Sequence, residues 1–334
     1  MQYFQAHDVR EYKDINGNIP EILIVDGNRS AGKTTAFSRK LVSDFLEHKT
    51  KFMLIYRYMN ELNNISEAFF KDIRQLFFPD SVMTEQKKAR GAYIELFLDG
   101  ASCGYAVALN SAAKLKHYSH VFSDVGQMFF DEYQIENGYY IPDEIQRFVS
   151  LHMTVARGQG QVVRFVPVYM CSNSVSIFNP YYDAFHIAGK INSNTKVLKG
   201  DGFVLLRLTL KEVAKAQETS AFNRAFSGSG YMQSAVDNSF LNDESYNICK
   251  EDLKYFRPLL VYKCDGVLYT IYTNGYKMHV KQGENPGAPT YGATQADRGQ
   301  NYNSIRNAMV YSRIRLYYSD GNLTFQTPDA KRSF

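Results

Sequence analysis

Residues 21–35 read EILIVDGNRSAGKTT. The apolar run at 22–25 leads into Gly27-Asn28-Arg29-Ser30-Ala31-Gly32-Lys33-Thr34, which matches G-x-x-x-x-G-K-[ST], the phosphate-binding P-loop. Glycines let backbone N–H groups surround phosphate oxygens, and the helix that follows adds positive partial charge. We predict that residues 27–34 and Thr35 bind ATP, with Lys33 on the β- and γ-phosphates and Thr34 on Mg²⁺. The alternative is a chance glycine loop before a helix.

A second strand predicts the other half of this site. Residues 125–132, VGQMFFDE, run from apolar side chains into Asp131 and Glu132. Asp131 is predicted to bind Mg²⁺. Glu132 is predicted to activate the attacking water, a group that an NTP hydrolase needs. A strand that simply ends in a solvated Asp-Glu turn is the alternative.

A third strand is predicted at residues 162–171, VVRFVPVYMC, followed by Ser172 and Asn173. In P-loop ATPases that have an additional strand in the sheet, a polar residue at this strand's tip contacts the γ-phosphate. Asn173 suits that role. An ordinary Ser-Asn turn would give the same pattern.

Composition limits the class of protein. A chain of 334 residues is long enough for two domains. No apolar run reaches 18 residues and the N-terminus is polar, so we expect neither a membrane span nor a secretory signal. The four cysteines show no metal-ligand spacing and fit reduced thiols in a cytosolic protein. The net charge of +4 lies after residue 198, which hints at a polyanionic partner.

The order of predicted elements favours an α/β fold with a mostly parallel sheet. Residues 1–190 are predicted to form the P-loop domain, with a β-hairpin at 92–109 and a helix at about 143–154. Residues 191–230 are predicted to be a small linker or hinge domain. Residues 231–334 are predicted to form a β-rich domain with hairpins across Asp265-Gly266 and 320–322 and a helix near 302–312.

Several motifs in order resemble the DNA-encapsidation ATPases of small short-tailed bacteriophages of Gram-positive hosts. They are GNRSAGKT at 27–34, YRYMNEL at 56–62, FFDE at 129–132, YIPDE at 140–144, TVAR at 154–157 and CSNSVSIFNPYY at 171–182. The resemblance covers residues 20–185 well, and the remainder by length and general texture.

The resemblance implies an ATP-driven motor that moves double-stranded genomic DNA into a procapsid. It implies a homo-oligomeric ring, a pentamer, at the portal or connector of the procapsid in the host cytoplasm, in some relatives docked through a structural RNA. The implied fold is a P-loop ATPase of the additional-strand, catalytic-Glu class. Its C-terminal domain is implied to be an RNase H-like nuclease fold without the acidic centre, which still binds nucleic acid.

The resemblance also assigns further residues. Arg157 matches an arginine finger that reaches the neighbouring subunit's ATP, and Arg29 matches an arginine that acts in cis. Either Lys114 or Lys116 matches a pore-facing, DNA-binding lysine. Position 59 carries Met where a relative carries Lys, so the resemblance does not extend to a phosphate contact at that position. Arg157, Lys114 and Lys116 would also fit an ordinary solvated surface.

Three other functions remain open at this point. The first is another P-loop nucleic-acid motor, a helicase or transfer ATPase. The second is a small-molecule kinase, against which Glu132 and the large C-terminal region count. The third is a packaging ATPase with an active nuclease, which would need converging carboxylates. Candidate carboxylates are Asp237, Asp243, Glu244, Asp252, Asp265 and Asp320.

Overall fold

The computed structural model describes residues 3–63, 65–136, 139–157, 163–187, 190–191, 195–210, 212, 215, 221–225, 247–294, 296–298 and 302–334. The chain forms two compact units. The first comprises Met1–Phe185 and Ile191–Asn242, and the second comprises His186–Lys190 and Asp243–Phe334. No helix in the described ranges is both long and apolar enough to cross a membrane.

The first unit is built on a sheet of nine strands among its described residues. They are β1 (Ile22–Gly27), β2 (Lys51–Tyr56), β3 (Met83–Lys88), β4 (Tyr93–Leu98), β5 (Ala101–Ala108), β6 (Val125–Asp131), β7 (Val168–Ser172), β8 (Val197–Gly200) and β9 (Phe203–Leu208). The helices are α1 (Lys33–His48), α2 (Ile65–Phe77), α3 (Ala112–Leu115), α4 (Glu144–Val155), α5 (Pro180–Ala184) and α6 (Ala221–Ala225).

The strands lie in the order β3-β4-β5-β2-β6-β7-β1-β9-β8. The six central strands run parallel to one another; in spatial order they are β5, β2, β6, β7, β1 and β9. Antiparallel strands form both edges of the sheet, β3 and β4 on one side and β8 on the other. Strand β7 lies between the P-loop strand β1 and the acid-bearing strand β6, and it pairs with both. The prediction of an α/β fold of the additional-strand class is therefore confirmed.

The core explains why the P-loop strand is so apolar. Leu23, Ile24 and Val25 of β1 are fully buried, as parallel strands covered on both faces require. On one face, the ring of Phe37 from α1 lies 5.4 Å from that of Phe129 and 5.3 Å from that of Tyr169. Helix α1, which continues from the P-loop, is thereby fixed against β6 and β7.

Strand β7 is shorter than predicted. The sequence predicted a strand from residue 162, but β7 begins at Val168 and residue 162 lies outside the described residues. Pro167 has no N–H to donate to a ladder. The Arg164 side chain instead donates to the carbonyl oxygens of Val125 at 3.0 Å and Val155 at 2.6 Å. Arg164 therefore links this segment to the start of β6 and to the end of α4.

The predicted linker at 191–230 contains part of the main sheet. Strand β9 pairs with β1 over six residues, and β8 pairs with β9 as an edge hairpin. Val204 and Leu205 are fully buried, so the turn at 201–202 closes a hairpin and does not open a hinge. The hairpin belongs to the first unit as part of Ile191–Asn242, while His186–Lys190 before it and Asp243–Phe334 after it belong to the second. Most of residues 211–230, the remainder of the predicted linker, lie outside the described residues.

The second unit has a six-stranded sheet in its described part. Its elements are β10 (Arg257–Cys264), β11 (Val267–Thr273), β12 (Met278–Gln282), β13 (Thr290–Gly292), β14 (Asn303–Ser304), β15 (Leu323–Phe325), α7 (Tyr311–Ser319) and α8 (Pro328–Arg332). The order is β14-β13-β10-β11-β12-β15. Strands β10, β11 and β12 are antiparallel, so the hairpin predicted across Asp265-Gly266 is confirmed.

Two predictions for the second unit are wrong. The helix expected near 302–312 is a 3₁₀ turn at Ile305–Asn307, and the longer helix α7 begins at Tyr311. The expected terminal hairpin across 320–322 is absent from this described segment. Gly321 adopts φ +71° at the end of α7, and β15 then pairs in parallel with β12. A glycine after a helix lets backbone N–H groups turn back and bond the last carbonyl groups of the helix. Glycine is also common in hairpin turns, so the same sequence signal fits both structures.

Candidate nucleotide-binding site

The P-loop joins β1 directly to α1. Its first glycine packs closely against β9, because a Cβ on Gly27 would lie only 3.0 Å from the carbonyl oxygen of Leu208. Gly32 has φ +82°, a left-handed conformation that favours glycine. These two glycines let the backbone turn tightly between the strand and the first helical residue, Lys33.

Asn28 anchors this loop to the end of β9. Its side chain is 1% exposed, and its Oδ1 accepts from the backbone N–H of Leu210 at 3.2 Å. The backbone N–H of Asn28 also donates to the carbonyl oxygen of Leu208 at 3.4 Å. The Asn28 side chain thus supports the loop, and β9, predicted to lie in a linker, forms one wall of the P-loop.

Lys33 lies inside the loop with only 6% of its surface exposed. Its Nζ donates to the carbonyl oxygens of Gly27 and Asn28, both at 3.0 Å, and to Oδ1 of Asn173 at 3.3 Å. Burial lowers the pKa of Lys33, and the nearby carboxylates of Asp26 and Asp131 oppose that shift. The ammonium group is therefore surrounded by oxygen acceptors, the environment in which phosphate oxygens also bind.

The acidic pair ends strand β6 as predicted. The Oδ1 atom of Asp131 accepts from the backbone N–H of Glu132 at 2.9 Å and from the thiol of Cys171 at 3.0 Å. Glu132 has φ +50°, a left-handed backbone conformation directly after the last residue of β6. Desolvation and the carboxylate of Asp131 raise the pKa of Glu132 above its ordinary value. The two carboxylates therefore lie at the same strand end in different environments.

One cleft brings most of the predicted residues together. It has a volume of about 260 Å³. Its lining includes Arg29, Ser30, Ala31, Gly32, Lys33, Thr34, Thr35, Asp131, Glu132, Ser172 and Asn173. Thr34 and Asp131 thus share a cleft and offer the hydroxyl and carboxylate oxygens that Mg²⁺ prefers. The residues present fit both a nucleoside triphosphate and its metal ion.

Arg29 lies at the mouth of this cleft. Its Nη2 forms an ion pair with Oε1 of Glu136, and both side chains are 43% exposed. Glu136 follows Glu132 by four residues, so the pair joins the P-loop to the loop after β6. The positive charge of Arg29 also opposes the rise in the pKa of Glu132.

Arg157 lies elsewhere. It is exposed just after α4 and lines a second groove with Lys116, Val149 and Met153. Lys114 on α3 and Lys116 in the turn after it are both exposed. The residues directly after Arg157, 158–162, lie outside the described residues. Arg157 is not among the residues that line the nucleotide cleft of its own subunit.

Sequence reasoning missed a buried ion pair next to the loop of Glu132. The carboxylate of Glu61, four residues after Arg57, accepts from the backbone N–H of Arg57 at 2.9 Å. The guanidinium instead pairs with Glu144, Nη2 to Oε1 at 3.0 Å. It also donates to the carbonyl oxygens of Glu132 at 3.3 Å and Tyr133 at 2.8 Å. The sequence signal was an arginine directly after a buried strand.

A strand inserted between the P-loop strand and an Asp-Glu strand, with a lysine-lined phosphate cleft, defines a P-loop NTP hydrolase of the additional-strand class. The chain belongs to the podovirus DNA encapsidation protein (Gp16) family, whose sequence profile matches residues 15–331. It is 29% identical over 263 residues to the DNA packaging protein of Bacillus phage phi29, covering 78% of this chain and 72% of that protein. Identity to the DNA packaging protein of Bacillus phage B103 is also 29%, over 231 residues, with 68% of this chain and 66% of that protein covered.

Solved structures share the fold. The bacteriophage Phi-29 viral genome packaging motor assembly superposes with a TM-score of 0.65 at 24% identity, covering 92% of this chain and 91% of that chain. The Phi-28 gp11 DNA packaging motor superposes with a TM-score of 0.58 at 16% identity, covering 93% and 92%. At these identities the superpositions show the fold alone.

Proposed function

We propose that this protein is an ATP hydrolase that drives double-stranded viral DNA into a procapsid. Three findings support the proposal: the chain belongs to the DNA encapsidation family, its relatives are DNA packaging proteins, and its fold is that of a packaging motor. The observation that carries it is the single cleft lined by Lys33, Thr34, Asp131, Glu132 and Asn173. A small-molecule kinase would not need the water-activating Glu132.

The residues of this cleft have distinct roles in the proposal. Lys33 and the backbone N–H groups of the P-loop bind the β- and γ-phosphates. Thr34 and Asp131 hold Mg²⁺, which neutralises phosphate charge when bound. Glu132 accepts the proton of the attacking water and Asn173 contacts the γ-phosphate, since its Oδ1 already lies 3.3 Å from Nζ of Lys33. Arg29 acts in cis from the mouth of the cleft.

Arg157 acts in trans in this proposal. It lies in the groove with Lys116, apart from the cleft of its own subunit, so a second subunit must present the ATP that it contacts. Hydrolysis would then depend on a homo-oligomeric ring, which the resemblance implies to be a pentamer. Lys114 and Lys116 are both exposed, and we propose that one of the two is the pore-facing DNA contact.

In this proposal the second unit binds nucleic acid and does not cut it. In its sheet, β11 lies between β10 and β12, while β13 and β14 lie on the other side of β10 and run parallel to it. RNase H-like folds have this strand order. The central strands β10 and β13 carry no carboxylate. Asp252 accepts from the backbone N–H of Lys254 and Asp265 adopts a turn conformation, while Asp237, Asp243 and Glu244 lie outside the described residues.

The proposed partners are the portal or connector of the procapsid, double-stranded DNA and, as in some relatives, a structural RNA.

The test of the proposed function is the ATPase activity of the protein, measured alone, with double-stranded DNA, with single-stranded DNA, and with empty procapsids of the same phage. We expect stimulation by double-stranded DNA, and a larger one when procapsids are added. Stimulation by single strands alone would instead indicate a helicase.

A further inference from the structure

A buried carboxylate immediately precedes the P-loop. Asp26 occupies the position before Gly27 on β1 and has no exposed surface. The rest of that strand is apolar, and a buried charged group is costly unless it is paired and hydrogen-bonded. Its partners therefore reveal what it does in the fold.

The donors to Asp26 come from the loop that carries the catalytic carboxylate. Tyr133, the residue after Glu132, donates its hydroxyl to both carboxylate oxygens of Asp26 at 2.8 Å. The side-chain amide of Gln134 donates to Oδ2 at 3.1 Å. A further hydroxyl, that of Tyr182 on α5, also donates to Oδ2. Arg207 faces Asp26 on the neighbouring strand β9.

The contacts continue to the loop that carries Asn173. The Oε1 atom of Gln134 accepts from the backbone N–H groups of Val175 and Ser176, both at 3.1 Å. Gln134 is 3% exposed, so its amide has little access to water. One carboxylate at the end of the P-loop strand is therefore connected to the loop after Glu132 and, through a single amide, to the loop after Asn173.

We propose that Asp26 is a positioning residue for ATP hydrolysis, holding the loops of Glu132 and Asn173 in register with the P-loop. The inference rests on the proposed function, because it takes Glu132 as the water-activating group. Tyr133 and Gln134 follow Glu132 directly, so a change in their anchoring moves the Glu132 backbone. Lys33 retains its own contacts with Gly27 and Asn28. Loss of the Asp26 contacts thus affects hydrolysis more than phosphate binding.

Asp26→Asn is the informative substitution, because it preserves shape while replacing one acceptor oxygen with an NH₂ group that cannot accept. Tyr133→Phe removes the facing hydroxyl and provides a second variant that does not alter β1. Tyr169→Phe is the matched control. Tyr169 is also a fully buried tyrosine, but its hydroxyl accepts from the backbone N–H of Val9, away from this network.

The measurements are kcat under saturating ATP and the Kd for a non-hydrolysable ATP analogue. We expect Asp26→Asn and Tyr133→Phe to lower kcat by roughly 10- to 100-fold, as small misplacements of catalytic groups do, with Kd changed by less than about threefold. Tyr169→Phe should keep kcat within about twofold of wild type, since it removes no contact of the catalytic loops.

The decisive comparison places Asp26→Asn in a Glu132→Gln background. If Asp26 acts by positioning Glu132, the residual single-turnover rate should change by less than about threefold, because effects on one catalytic unit do not multiply. A full multiplicative loss in the double variant, or a Kd that rises as much as kcat falls, would overturn the proposal. Wild-type protein without ATPase activity would instead contradict the proposed function. If Asp26→Asn and Tyr133→Phe both keep the wild-type kcat, that result would contradict this inference and leave the proposed function intact.

Discussion

The guanidinium of Arg57 and the carboxylate of Glu144 form a buried ion pair, with Nε 3.0 Å from Oε2 and Nη2 3.0 Å from Oε1. Arg57 is 7% exposed and Glu144 is 3% exposed. The same guanidinium binds the carbonyl oxygen of Glu132, and Glu144 begins helix α4, which leads to Arg157. The loop that carries Glu132 and the helix that leads to Arg157 therefore contact the same guanidinium group.

This ion pair predicts a large stability effect for Glu144→Ala. Removing one partner leaves the Arg57 charge buried and uncompensated, which costs about 3–5 kcal/mol. We expect the free energy of unfolding in urea to fall by that amount. Lys88→Ala is the control, because its pair with Glu95 is partly exposed and should cost at most about 1 kcal/mol. Equal effects of the two substitutions would contradict the assigned role of the buried pair.

Lys33→Ala should abolish ATP hydrolysis and weaken nucleotide binding, because it removes the point charge on the β- and γ-phosphates. The matched control is Lys40→Ala, about two turns further along α1, where Nζ binds Asp8 and Asp44 outside the cleft. Steady-state phosphate release and binding of a fluorescent ATP analogue measure both effects. Normal turnover in Lys33→Ala would exclude the P-loop as the catalytic site.

Glu132→Gln should bind ATP and leave it uncleaved, with a loss of roughly 10²–10⁴ in rate. The base must be ionised to accept a proton, and desolvation together with Asp131 raises the pKa of Glu132 above the ordinary 4.5. Activity should therefore fall as the pH drops through that raised pKa. A pH profile of kcat checks this prediction. A rate that stays constant down to pH 4.5 would contradict it.

Arg157→Ala should bind ATP normally and hydrolyse it poorly, since an arginine finger is worth roughly 10³–10⁵ in rate. Subunits with Arg157→Ala should regain activity when mixed with Glu132→Gln subunits, because each type supplies the group that its neighbour's site lacks. ATPase activity is measured over a series of mixing ratios. No recovery in verified mixed rings, or full activity of a diluted monomer, would show that Arg157 does not act in trans.

Local patterns in the sequence were enough to predict the nucleotide cleft. The P-loop, the Asp-Glu pair and Asn173 each follow an apolar strand, and parallel strands bring their carboxyl ends to one edge of the sheet. The prediction placed Lys33, Asp131, Glu132 and Asn173 together because each signal lies within a few residues of its strand end.

The supporting contacts could not be predicted in this way. Arg57 lies 87 residues from Glu144, and Asp26 lies 107 residues from Tyr133, so their pairing depends on strand order. Periodicity does not specify which distant strands are neighbours. The β8–β9 hairpin was assigned to a linker for the same reason. One signal was present: Asp26 is a carboxylate at the end of an apolar strand, and such a group requires buried partners.

The central claim is that ATP hydrolysis in this cleft moves double-stranded DNA into a procapsid. Its most direct test is DNase protection: double-stranded DNA, empty procapsids of the same phage, ATP and the protein are incubated, and the DNA that survives nuclease is measured. Wild-type protein with ATP should give protected DNA, and Lys33→Ala or a non-hydrolysable ATP analogue should give none. DNA-stimulated ATPase activity without protected DNA under these conditions would contradict it.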